Sequence, residues 1–127
     1  MFSLHRFEFL EKISERGEVL PIHAVFPSTT AASLTSIHTG LTPAEHGLLE
    51  WLAFMPSIDM VIKTLAFSPV DGGGIDSLIE HGVNPNILFR GETIYERLFR
   101  FGVNSYALIA NRYIQGAYSS MAYRGPI

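Results

Sequence analysis

Apolar positions along the chain fall into runs with two different periods. Within residues 2–16, Phe2, Phe9, Leu10 and Ile13 lie within about 100° of one another on a helical projection, which predicts an amphipathic helix ended by Gly17. Residues 19–26, VLPIHAVF, form a mostly apolar run bounded by Pro27 and predict a strand, with Pro21 disturbing the pairing at its start. Ser28 is placed to cap a helix over residues 30–39, a stretch free of Gly and Pro until Gly40 closes it. After a turn at residues 43–47, two apolar segments, residues 48–55 and 60–67, flank Pro56-Ser57 and read as strands.

The second half repeats the alternation. Asp71-Gly72-Gly73-Gly74 is a loop, and residues 75–80 predict a short helix ended by Gly82. Over residues 92–101, Ile94, Leu98 and Phe101 share a helical face, Gly102 closes it, and residues 103–110 return as a strand. Residues 106–110, YALIA, lack polar alternation, as expected of a parallel strand buried on both faces. Helix, glycine, then strand predicts an α/β fold: part of a mostly parallel central sheet flanked by helices. About three helices and four strands leave such a sheet short of cover.

A length of 127 residues with 47% hydrophobic content fits a single domain spanning residues 1–127, or a large piece of one. The formal charge of -3 provides no positive field for a nucleic-acid polymer or an anionic membrane. Cysteine is absent, which removes disulfides, thiolate zinc sites and a cysteine nucleophile, and agrees with a reducing compartment. Charges interrupt the N-terminal apolar positions, unlike the core of a signal peptide, and no apolar run approaches the roughly 20 residues of a spanning helix. These features predict a soluble, cytoplasmic protein; oligomeric state is left open.

Candidate chemistry concentrates in residues 26–51, FPSTTAASLTSIHTGLTPAEHGLLEW. Ser28-Thr29-Thr30 is a hydroxyl-rich turn where a strand hands over to a helix. The first helical N–H groups there have no intrahelical acceptors and sit at the positive end of the helix dipole, which suits an anion. A hydroxyl at that position is most often only a cap. Beside a divalent cation it loses its proton more easily and becomes a nucleophile.

The order Phe26-Pro27-Ser28, Thr30, Thr39-Gly40-Leu41, Pro43 and His46-Gly47 resembles the nucleophile region of the type I phosphodiesterase/nucleotide pyrophosphatase family, within the alkaline phosphatase superfamily. In that family a threonine one residue after Phe-Pro-Ser binds between two metal ions, usually zinc, and attacks phosphorus to form a phospho-threonine intermediate. The resemblance therefore implies Thr30 as nucleophile and metal ligand. The opening helix and strand, and the helix-strand unit of residues 92–110, follow the family's order of elements. Ser33 stands where nucleotide pyrophosphatases typically place an asparagine that holds a phosphate oxygen. A serine has shorter reach, which leaves the substrate open to differ from a nucleotide.

The family's remaining metal ligands come from segments before and after those seen here. The resemblance thus implies an alkaline phosphatase-like fold incomplete at both ends, with two divalent ions in the whole enzyme and none held stably by this chain. Asp59, Asp71 and Asp76 show no ligand spacing with a histidine. Trp51 is a candidate to stack on a substrate group, and Trp51, Phe54 and Tyr95 are otherwise core or pocket-wall residues. His46, beside Glu45, reads as structural, His38 as a surface or packing residue, and His23 as a core histidine. His5 and His81 fall on solvated helix faces. Residues 72–74 lack the ending of a phosphate-binding loop, and Asn111-Arg112 follow a strand end, where open α/β sheets bind ligands.

Two functions compete on these grounds. One is a piece of a metal-dependent phosphoester hydrolase acting on a small phosphodiester or pyrophosphate, with the 127-residue chain alone expected to be inactive. The other is a non-catalytic α/β remnant or binding module. An acyl hydrolase built on Ser28 or Thr30 ranks last, because no G-x-S-x-G elbow is present.

Overall fold

Helices form on most of the predicted faces. The computed structural model describes residues 7–126, in which α1 spans Glu8–Arg16, α2 Thr30–Thr39, α3 Pro43–His46, α4 Ser77–Glu80, α5 Ile94–Arg100 and α6 Ala117–Ala122. The expected first turn of α1, at residues 2–6, lies outside the described residues. α1 is amphipathic but buries no residue, and Phe9 is 70% exposed. Its apolar stripe is a face without a floor.

The predicted parallel sheet is not what forms. Strands β1 (Leu52–Met55), β2 (Met60–Lys63) and β3 (Ser68–Pro69) make a three-stranded antiparallel sheet in the order β1-β2-β3. Met55 pairs with Met60 and Leu52 with Lys63, so residues 56–59 form a hairpin loop, with Asp59 taking the left-handed conformation at φ 48°. A four-residue link allows only an antiparallel return, because a parallel crossover needs a dozen residues or more. The sheet's hand was therefore readable from the link between the two apolar runs.

Residues 19–26 and 103–110, expected as strands, belong to no ladder. Ile22 is 88%, Phe26 94% and Leu108 104% exposed. These runs have the side chains of buried strands without partners on either edge.

The core gathers Leu48, Met55, Ile62, Phe67, Leu78 and Leu88 from the sheet side with Ala117, Met121 and Ala122 of α6. α2 packs against α3, α5 and α6, and α4 against β3. Asp76 holds α6 in place from a distance: its Oδ1 accepts the Ala117 N–H at 3.0 Å, putting a carboxylate at the positive end of that helix. Two capping boxes, Thr42 with Glu45 and Thr93 with Glu96, start α3 and α5.

Candidate functional site

The start of α2 carries the hydroxyl singled out by the sequence. Thr29, not Ser28, is the cap: its Oγ1 accepts the Ala32 N–H at 3.2 Å and donates its own proton to the Leu49 carbonyl at 2.7 Å. One hydroxyl therefore satisfies a helix-start donor and ties α2 to the loop of residues 47–51. Thr30 is the next residue and the first of the helix. Its side chain is exposed and forms no hydrogen bond among the described residues. Ser33, one turn along, is half-buried.

The loop of residues 47–51 is pinned at several points. Thr64 Oγ1 donates to the Glu50 and Trp51 carbonyls at 3.0 and 3.2 Å, and the Thr64 N–H bonds the Trp51 carbonyl at 2.8 Å. Trp51 itself is half exposed, and its loop is drawn beside the start of α2 by the Thr29 to Leu49 bond. Phe54, on β1, is exposed as well.

His46 is buried and structural. The buried Leu48 N–H donates to its Nδ1 at 3.1 Å, so Nδ1 is the bare nitrogen and Nε2 carries the proton. Nε2–H then donates to Ser36 Oγ at 3.1 Å, across from α3 to α2. In this tautomer the imidazole takes no proton from Ser36 and cannot activate it as a nucleophile. Burial lowers the His46 pKa, and the Ala32 carbonyl and the Glu45 charge oppose that shift. Glu45 is held below the usual carboxylate range by hydrogen bonds from the Thr42 hydroxyl and N–H.

His38 packs on the opposite side of α2 rather than on the surface. Its Nδ1 lies 2.9 Å from the Tyr95 hydroxyl, and its ring centroid lies 4.6 Å from that of Tyr123 and 6.5 Å from that of Tyr118. Tyr118 Oη is 3.0 Å from Thr35 Oγ1, and burial pushes the Tyr118 phenol up to about 12. Burial likewise lowers the His38 pKa. Tyr95 is thus part of the seat of α2, where the sequence allowed a core role.

The motif residues around Thr30 sit on a continuous loop, cap and helix. Compared with known families, residues 1–117 match the model for type I phosphodiesterase / nucleotide pyrophosphatase. The chain belongs to that family. Comparison with curated proteins and with solved structures gives no match.

A type I phosphodiesterase centre with two metal ions would need several carboxylates and imidazoles around the nucleophile. Among the described residues no group of three or more His, Cys, Asp or Glu is placed to hold an ion. Asp76 is engaged as the α6 cap and Asp59 turns the hairpin. The donors among the described residues do not fit a dinuclear centre. His23 is exposed, against the expectation of a core histidine, and Arg112 lies over the Tyr113 ring at 4.7 Å. No helix among the described residues is long and apolar enough to cross a membrane.

Sequence reading missed Thr29, Thr64 and the tautomer of His46. Thr29 was within reach, since a threonine directly before the first helical residue is a better cap than one two residues before it. Thr64 and Leu48 required the fold.

Proposed function

We propose that this chain supplies the nucleophile segment of a phosphoester hydrolase acting on a small phosphodiester or pyrophosphate, with Thr30 as the attacking residue. The observation that carries the reading is the free Thr30 hydroxyl at the start of α2, within a segment that matches the family. The Thr30 and Ala31 N–H groups take part in no hydrogen bond among the described residues and sit at the positive end of a ten-residue helix. A phosphoryl oxygen there would be held by backbone donors while Thr30 Oγ approaches phosphorus. Attack would replace the Thr30 O–H by an Oγ–P bond, with the proton passing to solvent and one ester or phosphate group leaving, and give a phosphoryl-threonine that still carries the substrate's other ester group until water hydrolyses it. Ser33 and Trp51 are assigned to the substrate side: Ser33 as a further donor and Trp51 as a stacking surface. Divalent ions, zinc in the family's usual chemistry, would need donors other than those described.

A second reading, a non-catalytic α/β module that keeps the anion-binding helix start, is favoured by the same missing donor cluster. Incubation with an aryl phosphodiester and zinc, followed by peptide mass spectrometry, separates the two. A phosphoryl adduct on Thr30 carrying the probe's remaining ester group, absent from Thr30→Ala, supports the nucleophile. Binding of inorganic phosphate, seen as amide shifts at Thr30 and Ala31 with no covalent adduct, supports the module. Amide shifts confined to other parts of the chain would remove both. Turnover by the 127-residue chain itself is expected to be negligible.

A further inference from the structure

His46 joins three parts of the molecule through one buried ring. Its Nδ1 accepts the Leu48 N–H, and Leu48 is only 1% exposed and belongs to the core. Its Nε2 reaches Ser36 on α2. One residue past Leu48, the Leu49 carbonyl receives the Thr29 hydroxyl that caps α2. The path from His46 to the residue beside Thr30 is therefore two hydrogen bonds and one peptide unit long.

We infer that His46 is an acid-release latch: neutral, it holds the loop of residues 47–51 against α2, and protonated, it lets that loop, Trp51 and the tie to Thr29 come away. Protonation puts a hydrogen on Nδ1, so two N–H donors face each other and the buried Leu48 amide loses its acceptor. The groups that favour the protonated ring, the Ala32 carbonyl and the Glu45 charge, are outweighed by burial, and no neighbouring carboxylate among the described residues is free to take the new Nδ1–H. On α3, the Glu45 carboxylate is engaged by the Thr42 hydroxyl and N–H. α2 brings Ser36 and the Ala32 carbonyl but no acid, and its other titratable group, His38, is engaged with Tyr95. In the loop, the Glu50 carboxylate accepts the Trp51 N–H.

Burial acts in the same direction, lowering the His46 pKa from its ordinary 6.5 despite the opposing Ala32 and Glu45 contributions. The unfolded or released state binds the proton more tightly than the latched state. The latch is therefore fully held above about pH 6.5 and is lost as pH falls from there through the depressed value. It operates whether or not Thr30 attacks phosphorus, so its failure and that of the phosphoester reading are separable.

The test follows amide exchange and Trp51 emission in the whole 127-residue chain from about pH 8 to about pH 5, alongside the ring nitrogen shifts of His46. From about pH 6.5 down through the His46 titration, the protection factor of the Leu48 amide is expected to fall by up to about tenfold per pH unit and then level off, with a Trp51 emission change on the same curve. The Ile62 amide, in the middle of the sheet, should keep its protection over that range. In His46→Asn the side-chain oxygen accepts the Leu48 N–H as an Asx turn and does not titrate, so both signals should become flat. A flat Leu48 and Trp51 response in the wild type while His46 titrates would overturn the latch. So would Ile62 losing protection in parallel, or His46→Asn keeping the full response. If His46→Asn does not fold, the wild-type titration decides alone.

Discussion

Residues 60–68, MVIKTLAFS, and residues 103–110, VNSYALIA, are both short runs rich in β-branched, aliphatic and aromatic side chains. In the first, Ile62 and Phe67 are fully buried and β2 has a strand on each side. In the second, Tyr106 is 88% and Leu108 104% exposed, and the backbone joins no ladder. Connection length separates them. Four residues bring β1 beside β2 and four more bring β3 back, so the ordering cost of closing each loop is small. A partner for residues 103–110 has to come from far along the chain, and residues 19–26, the other unpaired apolar run, do not pair with it. Apolar character sets a demand for burial, and a paired edge with a covered face is what meets it.

The comparison breaks first if the packed region is not what holds the molecule together. Phe67→Ala should cost about 3–5 kcal/mol in urea unfolding, since the ring is fully buried in the core. A smaller loss is expected from Thr35→Val, which leaves the buried Tyr118 hydroxyl without its partner at about 1–3 kcal/mol, while Thr35→Ser should recover most of it. Thr29→Ala removes both the α2 cap and the Leu49 tie, so about 1 kcal/mol should be lost and Trp51 emission should shift with it. The smallest effect belongs to the unpaired run: Leu108→Lys should change stability by no more than about 0.5 kcal/mol. A loss of several kcal/mol at Leu108 would mean that the run is covered in solution, and the contrast drawn above would fail.

The helices over residues 30–39 and 94–100 were legible because their start and stop signals are local, whereas α3 falls where a turn is expected and α6 where no element is. Thr42 with Glu45 and Thr93 with Glu96 each sit three residues apart, the spacing of a capping box, and Gly40 and Gly47 take the left-handed conformation that closes α2 and α3. The Thr30 segment was legible as a hydroxyl-rich helix start, with the cap misplaced by one residue. What could not be read was the inward face of α2. It buries Ala31, Ala32, Thr35, His38 and Thr39, a small and polar stripe that hydrophobic periodicity does not register. The side chains of His38 and Thr35 are satisfied by Tyr95 and Tyr118, which lie 57 and 83 residues away from them in the chain.

By itself, the sequence carried the family motif, the helix over residues 30–39 with its hydroxyl-rich start, and the four-residue link between two apolar runs, because each depends on residues close together in the chain. Tertiary structure decided which apolar runs became strands, that Asp76 serves α6 and that His46 is a neutral acceptor for Leu48. Those outcomes depend on what a distant segment offers in hydrogen bonds and cover, and the free energy of such a contact is set by both partners at once.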